Sequence, residues 1–166
     1  EQGGFKQTHC VFTDITERKR IQQVQRESEE KFSAAFHASP DLLAITRADG
    51  TILDVNEGYT RLLGYSRDES IGKTTTELSI WADPEDRSTF FARLKEFGQV
   101  IDFETTLRRK DGTLLTVIDS ARTIELQGEI CNISIVRDVT ESKRAEQERQ
   151  ANFYYFESMD KVNRAI

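Results

Sequence analysis

Three consecutive strand-like segments joined by tight turns limit the fold of this chain more than any other feature of its sequence. Residues 101–108 alternate apolar and polar side chains, residues 113–124 form a longer run, and residues 129–138 form a third. A dipeptide ending in glycine, at 111–112 and at 127–128, separates each run from the next, as is typical of turns between antiparallel strands. The pattern therefore predicts an antiparallel meander.

A second hairpin and two helices precede the meander. Residues 42–47 and 51–55 are apolar runs joined by an Ala-Asp-Gly turn. Asn56 can then cap a helix that ends at Gly64, and Asp83 can cap a longer one. Five antiparallel strands interrupted by helices predict the α+β class, because a βαβ arrangement would need parallel strands.

Helices are also predicted on both sides of this region. Residues 17–38 are charged, with apolar side chains at helical spacing, and Pro40 ends that helix. After Thr140 a second helix carries side chains spaced alternately three and four apart, the pattern of a coiled-coil seam. The seam comprises Ala145, Glu148, Asn152, Tyr155, Met159, Val162 and Ile166. We therefore predict a homodimer through the flanking helices, with a solvated single helix as the alternative.

A segment of ten residues occurs twice in the chain in similar form. Residues 11–20 (VFTDITERKR) recur as residues 135–144 (IVRDVTESKR), and both copies run from a strand into a helix with a capping aspartate. The second copy ends a complete domain, so the first predicts the end of a similar domain and a longer parent protein. The predicted division is residues 1–16 as the last strand of a preceding, truncated domain, 17–38 as linker and leading helix, 39–140 as the domain itself, and 141–166 as an exit helix that leads to a next domain.

The composition is that of a soluble, mildly acidic globular protein. Apolar residues make up 37% of the 166 residues and charged residues 31%, with a formal net charge of −6. The sequence has no basic stripe for nucleic acid and no apolar run of the roughly 18 residues that a membrane span needs. Cys10 and Cys131 lie in strand-like segments and form no disulfide framework. We therefore expect a cytoplasmic protein with no nucleic-acid partner and no direct membrane contact.

Several motifs, in order along the chain, resemble those of PAS sensor domains. They are DLLAI at 41–45, ADGTILDVN at 48–56, LLGY at 62–65, WADPEDR at 81–87, RKDG at 109–112 and RDVT at 137–140. The resemblance covers about residues 28–142 and implies a five-stranded antiparallel sheet with helices on one face, flanked by signalling helices. It also implies that residues 1–16 belong to a truncated PAS domain. Residues 156–166 resemble the lead-in helix of GAF domains.

The resemblance implies a sensory role. PAS domains occur in tandem in bacterial sensor proteins and pass a ligand-induced or conformational change through flanking helices to an output domain. A sensor histidine kinase is the parent protein that this arrangement favours, with a diguanylate cyclase as the runner-up. The alternatives for the domain itself are a structural dimerisation module without a ligand and a redox sensor that binds FAD.

The sequence gives no support for haem or for a covalently bound flavin. PAS domains that bind haem generally ligate iron through a histidine on the long helix before the meander, and residues 83–97 contain none. Light-sensing members carry cysteine in an Asn-Cys-Arg motif, a context that Cys10 and Cys131 lack. Trp81 is a candidate for non-covalent FAD, but packing before the Asp83 helix explains it better. We expect no resident cofactor, although an unknown small ligand stays open.

No catalytic or metal-binding constellation is expected either. Residues 72–74 (GKT) match the end of a phosphate-binding loop, but Arg67 stands where that loop needs a glycine. The two histidines and two cysteines show no metal-ligand spacing. Glu85 and Asp86 are typical of a helix start and not of an acid–base pair. This part of the parent protein is therefore predicted to be non-enzymatic.

The PAS resemblance also implies a cavity between the inner face of the sheet and the central helices. Together with strand alternation it gives a predicted lining of Ile45, Val55, Tyr59, Leu63, Phe90, Leu94, Phe103, Thr105, Val117 and Ile133. Asn56 would add one polar contact. A core filled by these same side chains, without a ligand, is the alternative.

The last predicted strand passes directly into the exit helix at Asp138 and Thr140. Asp138 can cap this helix while its carboxylate reaches a basic side chain. A movement of the strand would then change the pitch or the pairing of the helix. We therefore predict that Asp138 and Thr140 are signal-relay residues.

Overall fold

The computed structural model of the protein describes residues 16–163, and the side chains of residues 16–155. A boundary between two units of the chain follows Ala35, and each unit is described by itself. The strand predicted at residues 1–16 therefore lies outside the described residues, except for its last position. The side chains of residues 156–166, which carry the resemblance to a GAF lead-in helix, lie outside them as well.

Five helices and five strands follow one another along the described chain. In order they are α1 (Thr16–Ala38), β1 (Leu42–Arg47), β2 (Ile52–Val55), α2 (Glu57–Leu63), α3 (Arg67–Ser70), α4 (Pro84–Phe97), β3 (Gln99–Arg108), β4 (Leu114–Leu126), β5 (Glu129–Asp138) and α5 (Thr140–Asn163). The strands form one antiparallel sheet in the order β2-β1-β5-β4-β3. The α+β class and the five-stranded antiparallel sheet predicted from the sequence are confirmed.

Capping residues account for the positions of α2 and α4. The Asn56 side chain accepts a hydrogen bond from the amide of Tyr59 at the start of α2, and Gly64 ends that helix with a left-handed φ of 80°. Asp83 caps α4 directly ahead of Pro84. Caps stabilise these boundaries because they satisfy backbone groups that a helix end leaves without partners. These boundaries agree with the sequence prediction.

The short helix α3 is a feature that the sequence analysis does not predict. Ser66 and Glu69 form a capping box around it: Ser66 Oγ accepts from the Glu69 amide at 3.3 Å, and Glu69 Oε2 accepts from the Ser66 amide at 2.9 Å. A single turn of helix is too short to show hydrophobic periodicity, so the segment between α2 and α4 looks irregular in the sequence.

A β-bulge changes the predicted alternation at the start of β3. The register between β3 and β4 shifts between Val100 and Phe103, and Asp102 has a φ of 51°. Val100 is buried as a result, while Ile101, which the alternation predicts to face the core, is exposed. The physical reason is that a bulge inserts one extra residue, which moves the preceding side chains to the opposite face.

Apolar side chains form separate clusters on the two faces of the sheet. The larger cluster lies between the inner face and the helices α2 and α4, and it includes Leu63, Phe90 and Val117. The smaller cluster lies on the other face, where Ile45 and Cys131 pack together. The inner face, covered by α2 and α4, therefore holds most of the core.

None of the helices within residues 16–163 combines the length and the apolar character needed to cross a membrane. The same residues contain no group of three or more His, Cys, Asp or Glu side chains arranged to hold a metal ion. Cys131 is a free and buried thiol.

Candidate functional site

A small cavity lies inside the larger cluster, between the inner face of the sheet and the helices α2 and α4. Its volume of about 50 Å³ has room for about three to five water-sized groups. All five strands contribute to its wall, together with α2, α4 and the loop before α4. The lining residues are Leu42, Ala44, Thr46, Ile52, Tyr59, Leu63, Thr75, Ile80, Trp81, Phe90, Phe91, Leu107, Asp119, Ser134 and Val136.

Asp119 on β4 brings a carboxyl group to this wall. The residue is 4% exposed, and its Oδ1 has no hydrogen-bond partner among the described residues. Burial alone raises the pKa of Asp119 to about 8. The carboxyl is therefore mostly protonated at neutral pH, because the low-dielectric surroundings disfavour its charged form.

Hydroxyl groups supply the remaining polarity of the wall. Thr46 is buried, and Thr75 and Ser134 are half-buried. The Tyr59 hydroxyl has no partner at normal hydrogen-bond geometry within the described chain. Burial raises the pKa of Tyr59 to about 12, although the hydroxyl of Ser70 opposes the rise. The wall can thus donate and accept hydrogen bonds, and its described residues carry no positive charge.

Aromatic rings form one side of the cavity. The ring centroid of Trp81 lies 5.3 Å from that of Phe90 and 6.5 Å from that of Phe91, and the two phenylalanine rings lie 5.8 Å apart. Ring pairs at these distances stabilise a core beyond the area they bury. Trp81 is buried, which agrees with the packing role expected from the sequence. Its ring also borders the cavity, where it can contact a ligand.

The structure brings three predicted lining residues to the cavity, namely Tyr59, Leu63 and Phe90. Others lie in or against the same core without bordering the cavity: Val55, Leu94, Phe103, Thr105 and Val117. Thr105 is buried, and its hydroxyl donates to Asp86 Oδ2 at 2.7 Å. Core packing and this hydrogen bond account for the second group without a ligand.

Ile45 and Ile133 face away from the cavity, which corrects the predicted lining. The two residues pair across β1 and β5, and both lie in the smaller cluster with Cys131. Side chains alternate along a strand, so the neighbouring Ala44 and Thr46 face the cavity while Ile45 faces the other side. Because β1 is apolar on both faces, its sequence does not indicate which set of side chains points inward.

The side chain of Asn56 holds several backbone segments together and does not line the cavity. Its Nδ2 donates to the carbonyl groups of Asp41 at 2.9 Å and Phe36 at 3.1 Å. Its Oδ1 accepts from the amides of Leu43 at 2.9 Å and Tyr59 at 3.0 Å. The side chain therefore joins the end of α1, the start of β1 and the start of α2, and these contacts use the amide that the sequence analysis assigns to a ligand.

Thr140 connects β4 to the start of α5. Its Oγ1 accepts a hydrogen bond from the Thr116 amide at 2.9 Å and donates to the Thr116 carbonyl at 3.3 Å. The amide of Val139 donates to the same carbonyl at 2.9 Å. Asp138 Oδ1 accepts from the Thr140 amide at 2.9 Å. The two predicted relay residues thus lie in one hydrogen-bonded junction between β4, β5 and α5.

The ion pairs of this junction belong to neighbours of Asp138. Arg137 pairs with Asp41 at 3.1 Å, and Lys143 pairs with Glu104 at 2.8 Å. The ion pair expected between Asp138 and a basic side chain is not found among the described residues. The basic side chains beside it, Arg137 and Lys143, pair with Asp41 and Glu104 instead. Both pairs are partly exposed to solvent, so each contributes little to stability. They link the end of the domain to β3 and to the residue before β1.

Asp119 is the candidate residue that the sequence analysis misses. It stands between Val117 and Ala121 at two-residue spacing, on the buried face of β4. The available signal is an acidic side chain at an inward position of a predicted strand. Such a position is informative because carboxyl groups are rarely buried without a partner.

Comparison with known proteins identifies the family. A family model described as PAS domain matches residues 40–141. The chain belongs to the PAS domain family. The methyl sulfide methyltransferase-associated sensor of Methanosarcina acetivorans is 30% identical over 168 residues, which cover 98% of this chain and 16% of that protein. The sensor protein FixL of Bradyrhizobium diazoefficiens is 25% identical over 154 residues, which cover 88% of this chain and 30% of that protein.

Solved PAS domains share the fold described above. The PAS domain of an HTR-like protein from Haloarcula marismortui is 31% identical, with a TM-score of 0.58 over 72% of this chain and 98% of that chain. A PAS domain from a two-component sensor histidine kinase is 21% identical, with a TM-score of 0.59 over 69% and 99% of the two chains. This PAS domain is thus a sensor module of the kind found in signalling proteins, and the chain spans less than a third of the two curated relatives.

Proposed function

We propose that this PAS domain receives a signal at the cavity around Asp119 and passes it through α5 to an output domain. The observation that supports the proposal most is the position of β4, which supplies Asp119 to the cavity and Thr116 to the junction with Thr140. A strand is stiff over so short a distance. A displacement of β4 at the cavity therefore also moves the hydrogen bonds that hold the start of α5.

We propose that the output step uses a homodimer formed through the flanking helices. On α5 the side chain of Tyr155, a position of the predicted heptad seam, is 60% exposed. A large aromatic side chain exposed at such a position is typical of a surface that meets a partner. The predicted heptad seam supports a second copy of the same helix as that partner. In such a pair, a small rotation of each helix changes the position of whatever follows it.

The parent protein that we propose is a cytoplasmic sensor histidine kinase, with a diguanylate cyclase as the runner-up. Two curated relatives are named as sensors, and one solved neighbour comes from a two-component sensor histidine kinase. The PAS domain acts in such a protein as the sensor and not as the catalytic part. Its partners are then the adjacent domains of its own chain and a second copy of that chain.

A structural dimerisation module without a ligand is the second candidate function. The small cavity favours it, because about 50 Å³ is far below the roughly 300–1,000 Å³ of pockets that hold drug-sized ligands. The same volume disfavours a redox sensor that binds FAD, since a flavin ring system is much larger than this space. A ligand of only a few atoms is compatible with the cavity.

Replacing Thr140 by valine tests the relay junction. Valine keeps the size of the side chain and removes Oγ1, so the amide of Thr116 loses its partner, at a cost of about 1 kcal/mol. We expect faster amide hydrogen exchange at Thr116 and in the first turns of α5 in the variant. Thr140→Ser, which keeps the hydroxyl, is the matched control. Unchanged exchange in Thr140→Val would contradict a relay through this junction.

A further inference from the structure

The free carboxyl of Asp119 is the feature of the cavity that ordinary core packing does not explain. Its Oδ1 is buried and has no hydrogen-bond partner among the described residues, although several hydroxyl groups line the same cavity. An unpartnered buried polar atom destabilises a fold, because the group loses its hydrogen bonds to water and gains none in return. Such a group is therefore a specific acceptor for a hydrogen-bond donor that enters the cavity.

The groups around Asp119 favour a donor that also carries positive charge. The lining residues in the described chain include no Lys, Arg or His, so the carboxylate has no internal counter-ion. The rings of Trp81 and Phe90, whose centroids are 5.3 Å apart, border the same space. Aromatic ring faces attract organic cations, and a buried carboxylate binds an ammonium group through a charge-assisted hydrogen bond.

We propose that the cavity binds a small alkylammonium ion, with Asp119 as its anionic partner and Trp81 and Phe90 as its aromatic wall. The volume of about 50 Å³ limits the ligand to a few heavy atoms, on the scale of about three to five water-sized groups. The assignment deepens the proposed function, because it rests on the cavity being the input site of the sensor. It names the chemical class of the signal.

Binding of such a cation is linked to the proton on Asp119. The ligand needs the carboxylate, so below the pKa of Asp119, about 8, binding must release a proton to solvent. Tyr59 is the other titratable group of the described wall, and with a pKa of about 12 it stays neutral throughout this range. The charged groups on the neighbouring elements have partners of their own. Arg87 of α4 contacts two wall residues from outside the cavity: its guanidinium lies over the ring of Phe91, and its Nε donates to Thr75 Oγ1 at 3.3 Å. The other partners lie away from the cavity: Asp86 of α4 is bonded to Thr105, Arg93 of α4 lies over the ring of Phe103, Glu104 of β3 pairs with Lys143, and Arg137 of β5 pairs with Asp41.

Titration with ethylammonium chloride tests the proposal, with ethanol as the neutral ligand of the same size. Trp81 is the single tryptophan of the chain, so intrinsic fluorescence reports directly on the cavity wall, and calorimetry gives an independent affinity. Sodium chloride at equal concentration corrects for ionic strength. We expect ethylammonium to bind at least about tenfold more tightly than ethanol at pH 8.5, and its affinity to rise about tenfold between pH 6 and pH 7.

Two variants make the test specific. Asp119→Asn keeps the shape of the side chain and removes its charge, so we expect a loss of ethylammonium affinity of at least about tenfold at pH 8.5. Glu125→Gln, at an exposed position of the same strand, is the matched control and should bind as the unaltered chain does.

Undiminished binding by Asp119→Asn would overturn the proposal. So would an affinity that does not change with pH, binding of ethanol as tight as that of ethylammonium, or no response to either compound. The exchange experiment on Thr140 uses no ligand. A negative titration therefore overturns the ligand assignment, while the Thr140 variants decide the relay separately.

Discussion

Asp119 lies on β4 with 4% of its surface exposed and with Oδ1 unpartnered among the described residues. Native proteins keep few such groups, because each one lowers the free energy of unfolding. Nothing in the packing of the core requires a carboxyl at this position. For this reason we propose the cavity around Asp119 as the site where the domain receives its signal.

The titration of Asp119 gives a prediction about stability. Burial raises the pKa of Asp119 from its ordinary value of 3.8 to about 8, so between pH 4 and pH 8 the folded chain holds a proton that the unfolded chain has lost. The unfolding free energy should fall as pH rises through this window, by at most about 1.4 kcal/mol per pH unit, and level off above it. Urea unfolding of the unaltered chain and of Asp119→Asn at pH 5, 6.5 and 8 measures the effect. Parallel pH profiles for the two proteins would contradict it.

Asn56 gives a second prediction at the scale of a single residue. Asn56→Ala removes the cap of α2 and the side-chain partner of the Leu43 amide. It also removes the shorter of two hydrogen bonds to the Asp41 carbonyl, which keeps the one from Ser39 Oγ. We expect a loss of about 3 kcal/mol in the free energy of unfolding. Gln150→Ala, at an exposed position of α5 outside the predicted seam, should change it by less than about 0.5 kcal/mol. Equal losses of unfolding free energy in the two variants would show that the hydrogen bonds of the Asn56 side chain do not stabilise the fold.

At the scale of the elements, helix caps and turns could be predicted from the sequence. The face of the sheet to which the side chains of some strands point could not. Asn56 and Asp83 act locally, so their spacing to the following helix is visible in the chain itself. The face that Ile45 presents depends on which side of β1 receives α2 and α4, and both sides are apolar. The exposure of Ile101 depends on a β-bulge in β3, where it pairs with β4. No pattern in the neighbouring sequence predicts this bulge.

The exit helix α5 gives a prediction about oligomeric state. Tyr155 lies on the predicted heptad seam and Tyr154 next to it lies off the seam, although both are exposed in the single chain. We expect Tyr155→Glu to convert the dimer to a monomer, because a charge in the seam must be desolvated on pairing. Tyr154→Glu is a control of the same chemistry and should stay dimeric. Light scattering after gel filtration distinguishes the cases, and a monomeric unaltered chain would contradict pairing through α5.

At the scale of the whole molecule, the sequence predicts a PAS fold, and the family match over residues 40–141 confirms it. The motifs that carry the resemblance are turns, caps and the strand-to-helix exit, which are fixed by local chemistry. The cavity is different, because its wall combines side chains from all five strands with two helices and a loop. Its polar centre, Asp119, acquires its properties only when those elements bury it. The ligand-binding role of the site accordingly stays a prediction.

The central claim is that a change at the cavity reaches the start of α5 through β4. Amide hydrogen exchange at Val139 and Lys143, whose amides donate to the carbonyls of Thr116 and Val139, tests it most directly. The rates are measured for the unaltered chain and for Asp119→Asn at pH 6 and pH 9, and their ratio cancels the intrinsic effect of pH. The Leu43 amide, bonded to Asn56 near the other edge of the sheet, reports any loosening of the whole domain.

We predict a ratio near one at pH 6, where the carboxyl of Asp119 is protonated and resembles the amide of the variant. At pH 9 the carboxylate is charged and buried, so exchange at Val139 and Lys143 should become several-fold faster in the unaltered chain than in the variant, with a smaller change at Leu43. The same ratio at both pH values, or an equal increase at Leu43, would contradict a signal that runs from the cavity to the exit helix.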